Sequence, residues 1–224
     1  MKPHDALIAM LLDDAPATPA LRRWLTTPAG RRELAAYRAV LARLETLHGD
    51  VEPARPVTYY CGLSTPIGRV LVAASESGLV RVSFRRSEAS FRTELERGLG
   101  GDVVRSPGRT AEIVHQLRAY FRGERRTFDV SVDLRGRTPF QRRVLMAATE
   151  VPAGRVVSYG DIARRIGVPG ASRAVGQALG RNPIPIVIPC HRVVASGGRI
   201  GGYTGGLDVK RKLLRIEGVV AATG

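Results

Sequence analysis

The stretch Ser158-Tyr159-Gly160-Asp161-Ile162-Ala163-Arg164-Arg165-Ile166-Gly167-Val168-Pro169-Gly170-Ala171-Ser172-Arg173-Ala174-Val175-Gly176-Gln177-Ala178-Leu179-Gly180 decides the architecture of the C-terminal part of this chain. Ser158 stands three residues before Asp161, the spacing at which a cap hydroxyl and an acid satisfy each other's backbone amides at a helix start. Gly167 and the pair Pro169-Gly170 end that helix, and a second one runs from about Ala171 to Gly180. Two short helices joined by a tight Gly/Pro turn make a helix-turn-helix. The second helix is rich in small residues, although glycine inside a helix costs about 1 kcal/mol relative to alanine. A smooth face of this kind suits close approach to a nucleic-acid groove or tight packing against another helix, and both readings stand at this point.

Immediately downstream, Asn182-Pro183-Ile184-Pro185-Ile186-Val187-Ile188-Pro189-Cys190-His191-Arg192 sets a thiol beside an imidazole in a chain with two cysteines. The thiolate is the nucleophile, and a free cysteine ionises near a pKa of about 8.5, so a reactive one needs a base or cation nearby. His191 is the candidate base. The prolines fix φ and remove amide donors, which predicts an extended segment that presents Cys190 in one orientation. A Cys-His pair does not by itself specify chemistry, because most buried cysteines are inert packing residues.

The charge surrounds the same region. The chain carries a formal +15, and residues 135–224 hold 15 Lys and Arg against 4 Asp and Glu, or +11. An arginine-rich coding bias explains arginine over lysine but not the missing carboxylates; a polyphosphate partner explains both. Apolar content of 44% is that of a globular protein. No apolar run reaches the length of a bilayer span, and Asp5, Asp13 and Asp14 break any signal-peptide pattern, so a soluble, cytoplasmic protein without membrane partners is expected. Cys61 and Cys190 cannot form a disulfide framework, and no Cys/His cluster has zinc-like spacing. Neither a metal nor another cofactor is expected.

Further upstream, residues 1–56 read as a helical extension and linker: Leu7, Ile8, Leu11 and Leu12 start an amphipathic stretch, Pro16 and Pro19 break it, and Leu34, Tyr37, Leu41 and Leu44 recur at helical spacing. From Val57 the pattern becomes β-rich, with runs at 57–61, 70–74 and 80–84 that predict a small antiparallel sheet, followed by helices over 88–99 and 110–121. A second domain starts near residue 138 with a helix carrying Phe140, Val144, Ala147 and Ala148. The fold class is therefore α+β, with domains over 57–137 and 138–224 behind the N-terminal appendage.

The ordered blocks Phe140-Gln141, Arg155-Val156-Val157-Ser158-Tyr159-Gly160, Ala171-Ser172-Arg173-Ala174-Val175-Gly176, Arg181-Asn182-Pro183, Ile188-Pro189-Cys190-His191-Arg192-Val193, Gly201-Gly202-Tyr203-Thr204-Gly205-Gly206-Leu207 and Leu213-Leu214-Arg215-Ile216-Glu217-Gly218 strongly resemble the O6-alkylguanine-DNA alkyltransferases. The resemblance covers about residues 57–218, with Thr65-Pro66-Ile67-Gly68, Tyr120-Phe121-Arg122-Gly123 and Leu134-Arg135-Gly136 as its weaker portion. It implies an RNase H-like N-terminal domain, a winged helix-turn-helix-like C-terminal domain, and direct reversal of damage in double-stranded DNA containing O6-alkylguanine, and also O4-alkylthymine, by a monomer that is consumed in one transfer.

By the same resemblance, Cys190 accepts the alkyl group, Glu217 orients and charges His191, and His191 takes the thiol proton through a water. Tyr159 donates toward N3 of the departing guanine. Asn182 ties the helix-turn-helix to the Cys190 segment. Arg173 fills the gap left by the flipped base, with Ser172, Ala174, Gly176 and Gln177 beside it on the DNA-facing helix. Tyr203, Thr204, Gly205 and Val193 wall the pocket, with the Thr204 hydroxyl a candidate donor. Flipping is required because a protein sulfur cannot reach the adduct inside the stack. The chain departs from the family at Leu145 and Met146, where a tryptophan is common.

Two rivals share parts of this pattern. Alkyltransferase-like proteins mark lesions without a reactive cysteine, and Cys190 argues against that class. A cysteine hydrolase built on Cys190, His191 and Glu217 leaves the helix-turn-helix and the arginine excess without a role. Cys61, His4, His48 and His115 read as packing or surface residues.

Overall fold

The computed structural model describes residues 6, 7, 10, 17–48 and 55–219. The chain divides into two compact units, Met1–Ala54 and Arg55–Gly224. In the first, α1 (Pro19–Leu25) and α2 (Pro28–His48) bury Leu21 and Leu7 among Trp24, Leu34 and Tyr37. Pro19 follows two non-helical residues and begins α1. Its fixed φ and missing N–H suit the first helical turn, and the Thr18 hydroxyl accepts the Leu21 amide at 3.2 Å. Gly30 lets α2 pass close to α1, since a Cβ there would lie 2.3 Å from the Trp24 carbonyl oxygen. Of the expected amphipathic stretch, Ile8, Leu11 and Leu12 lie outside the described residues, as do the side chains of Leu41 and Leu44.

The second unit opens with β1 (Val57–Thr65), β2 (Gly68–Ser75), β3 (Gly78–Phe84) and β4 (Asp102–Arg105), in the sheet order β3-β2-β1-β4. The first three strands, joined by two-residue turns, pair antiparallel, while β4 adds in parallel to β1. That fourth strand was not anticipated, because four residues with two exposed charged ends give no periodic signal. One face of the sheet, through Tyr60, Leu71 and Val80, packs on Phe91 and Leu95 of α3 (Glu88–Leu99). The other, through Cys61, Val70 and Val72, packs on Ile113, Leu117 and Tyr120 of α4 (Ala111–Phe121). Cys61 sits within this second face, 2.9 Å from the Thr110 hydroxyl.

The core on the α4 side continues into the C-terminal helices α5 (Pro139–Thr149), α6 (Tyr159–Arg165), α7 (Ser172–Gly180) and α8 (Leu207–Ile216). Local chemistry sets their boundaries. Thr138 and Gln141 close a capping box on α5, Ser158 and Asp161 close one on α6, and Gly167 and Gly170 take φ of 74° and 89° in the turn that follows. Leu145 is fully buried in α5, whereas Met146 is 49% exposed, so the first carries the packing there. A short parallel ribbon of β5 (Val157–Ser158) and β6 (Val193–Val194) links the entry of α6 to the chain beyond Cys190.

The segment 182–192 is not extended as expected. Ile184 and Ile188 close a turn through a 2.9 Å backbone bond, Ile186 sits at φ 78°, and Cys190–Arg192 form a 3-10 turn. Proline's fixed φ is compatible with turns as well as strands, and full burial of Ile184, Ile186 and Ile188 holds the compact path. The Val82 amide of β3 binds the Pro183 carbonyl at 2.9 Å, so the edge of the sheet supports this segment directly.

Candidate active site

Cys190 opens onto a cavity of about 230 Å³ bounded by Asn182, Tyr203, Thr204 and Gly205 and, from the end of β3, by Phe84. A larger cavity of about 840 Å³ lies against α3 but contains no cysteine or histidine, so nucleophilic chemistry belongs to the smaller one. The thiol is only 8% exposed, and burial pushes its pKa up against the Asn182 hydrogen bond and the Lys210 ammonium, which pull it down. The resting group is therefore a thiol that requires a base. Asn182 sets its position: the amide nitrogen donates to the Ile188 carbonyl at 2.8 Å and to Cys190 Sγ at 3.1 Å, while the amide oxygen accepts from the Ile184 amide at 3.0 Å. Asn182 follows directly on α7, so one side chain couples the end of that helix to the sulfur.

His191 is fully buried, and its Nε2 lies 2.8 Å from Glu217 Oε1. An ionised carboxylate only accepts, so Nε2 carries the hydrogen and Nδ1 has the free lone pair. That Nδ1 is buried without a hydrogen-bond partner among the described residues. Burial pushes the His191 pKa down, and Arg192 and Lys210 add to this against the pull of Glu217, which favours a neutral base. Glu217 caps α8, where the helix dipole disfavours a carboxylate. Burial would raise its pKa, yet the bonds from His191 and Arg192 outweigh this and hold it at about 2. Arg192 contributes Nε to Oε2 at 2.8 Å and Nη2 to Oε1 at 3.0 Å, and the Tyr120 hydroxyl donates to Oε1 at 2.7 Å.

The sequence analysis gives no site role to Tyr120 or Arg192. A third omission is Lys210, fully buried on α8, whose ammonium donates to the Val193 carbonyl at 2.6 Å and the Gly202 carbonyl at 3.4 Å. Burial lowers its pKa to about 8, with Cys190 pulling the other way. A signal for it existed: Lys210, Leu213, Leu214 and Glu217 recur at the spacing of one helix face, which puts two charges on an apolar stripe.

The glycine loop forms the opposite wall. Gly201, at φ 66°, passes Tyr159 so closely that a Cβ would come within 3.1 Å of its hydroxyl. The Tyr159 hydroxyl makes one long contact to the Gly202 carbonyl, 3.4 Å, and burial followed by proximity to Cys190 raises its pKa, so it stays a donor. The Tyr203 hydroxyl is buried near Cys190, and burial followed by that neighbour pushes its pKa up. Its ring stacks on Phe84 at 6.1 Å, and Gly205 admits the same ring, since a Cβ there would overlap Phe84 at 1.9 Å. Two expected wall residues behave differently. The Thr204 hydroxyl donates to the Gly180 carbonyl at 2.7 Å, which commits its proton to α7. Val193 is fully buried in the hydrophobic core and is not among the residues that line the cavity.

On the outer side of α7, Arg173, Ala174 and Gln177 are exposed, while Ser172 and Gly176 are half-buried. A Cβ at Gly176 would meet only the Tyr159 ring at 3.8 Å, and one at Gly180 would meet nothing within 4 Å. Tight intramolecular packing therefore does not require either glycine. No three His, Cys, Asp or Glu side chains among the described residues are grouped to hold a metal ion. No helix among those residues is long and apolar enough to cross a membrane.

Residues 58–134 match the ribonuclease-like domain of 6-O-methylguanine DNA methyltransferase, and residues 139–219 match the DNA-binding domain of the same family. The methylated-DNA-protein-cysteine methyltransferase of Methanosarcina acetivorans is 42% identical over 71% of this chain and 98% of its own length. The Mycobacterium tuberculosis protein of that name is 43% identical over 71% and 92%, respectively. The crystal structure of Mycobacterium tuberculosis OGT in complex with DNA superposes with a TM-score of 0.63, at 43% identity, over 71% of this chain and 92% of that one. With both halves of the Arg55–Gly224 unit matched, its α+β fold shared and relatives covered nearly end to end, the chain belongs to the 6-O-methylguanine DNA methyltransferase family.

Proposed function

We propose that this chain repairs O6-alkylguanine in duplex DNA by direct reversal, moving the alkyl group irreversibly to its own Cys190. The observation that carries the reading is a buried Glu217–His191 pair, 2.8 Å apart, behind a cysteine that faces a cavity at the foot of an exposed helix. The outer face of α7 lies in the DNA groove, and Arg173 occupies the place of the base flipped toward the cavity. Flipping costs a few kcal/mol, least for a lesion that pairs poorly.

In the cavity, His191 Nδ1 takes the Cys190 proton through a water, and the imidazolium so formed is stabilised by Glu217. The thiolate attacks the alkyl carbon in line. The sulfur–carbon bond forms as the carbon–O6 bond breaks, and its electron pair leaves with guanine, whose growing charge is met by the Tyr159 hydroxyl at N3. Lys210 stabilises the sulfur's negative charge at the moment of attack. The product is a thioether with no leaving route, so each molecule acts once. The same pocket takes O4-alkylthymine. The chain works as a cytoplasmic monomer organised as an appendage over 1–56, a supporting domain over 57–137 and a DNA-binding catalytic domain over 138–224.

Intact-mass measurement after incubation with a duplex containing O6-methylguanine tests this. One methyl group is gained by the wild type and none by Cys190→Ala. Binding of the lesion with no mass change in the wild type would refute the reading.

A further inference from the structure

We infer that Tyr120, on the helix that backs the sheet, is a positioning residue for the transfer: it holds Glu217 and limits that carboxylate's pull on His191, keeping Nδ1 free to accept the thiol proton. The inference rests on Cys190 being the alkyl acceptor. Its basis is crowding at one oxygen atom. Glu217 Oε1 faces three donors, the Tyr120 hydroxyl at 2.7 Å, His191 Nε2 at 2.8 Å and Arg192 Nη2 at 3.0 Å. A carboxylate oxygen offers about two lone-pair sites, so the three compete. What Tyr120 draws from the oxygen is not available to the imidazole.

Tyr120 suits this part. It is fully buried between Phe121 and Phe128, whose rings lie 5.4 and 5.5 Å away, so its hydroxyl has a fixed direction. Burial and the Glu217 charge push its pKa far up, so it remains a donor at any working pH. The arginine in the cluster is committed elsewhere as well: Arg192 Nη1 binds the Val151 carbonyl at 2.6 Å. The other charged or titratable groups facing the cluster are Lys210 on α8, Cys190 on the 3-10 turn, Tyr203 on the glycine loop and Arg126 beyond α4. None of these donates to Oε1 in place of Tyr120 among the described residues.

The sign follows. His191 must be neutral to take the proton, so transfer accelerates as pH rises through its pKa. Loss of the Tyr120 hydroxyl returns charge density on Oε1 to the imidazolium and raises that pKa. Tyr120→Phe should move the acidic midpoint of the single-turnover rate upward by roughly half to one pH unit. Tyr120→3-fluorotyrosine, a stronger donor of nearly the same shape, should move it down. In a Glu217→Gln background the Tyr120→Phe displacement should vanish. A structural role alone would change the melting temperature or the rate at every pH and leave the midpoint in place. An unmoved midpoint, or a displacement that persists without the carboxylate, would overturn the inference. If Tyr120→Phe fails to fold, an unmoved midpoint in the fluorotyrosine protein does the same. Titration of the His191 ring nitrogens by NMR, without DNA, separates the two claims: a wild type that takes no methyl group refutes the repair reading, while the titration still reports whether Tyr120 acts on His191.

Discussion

Helix α7 borders the Cys190 cavity and helix α8 packs against the Cys190–Arg192 turn, and the two treat charge in opposite ways. On α7 the polar side chains Arg173 and Gln177 point into solvent and small residues leave the backbone accessible, while on α8 Lys210 and Glu217 are buried among Leu213 and Leu214. Charge kept in water costs little and is available to a phosphate backbone. Charge taken out of water must be matched group by group, and Glu217 is matched by three side chains. Under the proposed function this contrast divides the work, with recognition on α7 and activation on α8. It also predicts that damage to each helix should read out in a different assay.

The largest effect is expected on α8. Glu217→Gln should slow transfer by about 10²- to 10⁴-fold, because the imidazolium loses its stabilising carboxylate. It should also cost about 3 kcal/mol of stability, because Arg192, 6% exposed at its side chain, loses its charge partner. DNA affinity should be unchanged within twofold. A parallel loss of binding would mean that the two helices do not divide the work in this way.

On α7, Arg173→Ala should weaken binding to lesion-bearing duplex by about tenfold. Transfer from a free O6-alkylguanine base, measured by intact mass, should proceed at the wild-type rate. The mirror case is Lys210→Met, which should slow transfer from both donors by about fivefold, equivalent to about 1 kcal/mol. The desolvation that lowers the Lys210 pKa opposes folding, while its bond to the Val193 carbonyl favours it, so the melting temperature should change little at pH 7. Because the folded-state pKa of Lys210 is lowered to about 8, the unfolded chain binds the extra proton above that value. Wild-type stability should therefore gain on Lys210→Met as pH climbs from 8 toward 10.5, as denaturation midpoints across that window would reveal.

The smallest effect belongs to Gly176→Ala. A Cβ there meets only the Tyr159 ring at ordinary contact distance, so the helix should gain up to about 1 kcal/mol. DNA binding should fall severalfold if backbone proximity is what the glycine provides. A variant equally stable and equally tight would remove the functional reason for the small residues.

The elements with strong local chemistry were readable in the sequence. Ser158 with Asp161 and the Gly167 turn fixed α6 within a residue, and the helix over 88–99 was placed at its observed ends. Pairings that depend on distant partners were not. The strand β4 and the two-residue ribbon β5–β6 carry no periodicity of their own and exist because β1 and the Cys190 segment lie beside them. The proline-rich approach to Cys190 misled for a related reason: three fixed φ values do not specify ψ, and burial of three isoleucines chose the compact path. At the site, the structure sets Asn182 against Cys190 and Glu217 against His191. Tyr120 was legible as a core residue of α4, but the destination of its hydroxyl, 97 positions away in sequence, was not.

The most direct test counts transfers. With a molar excess of duplex containing O6-methylguanine, peptide mass mapping at completion should place one methyl group per chain, on the peptide that holds Cys190, and released repaired DNA should stop at one equivalent. Repaired DNA continuing past one equivalent, or a methyl group on any other residue, would contradict the account.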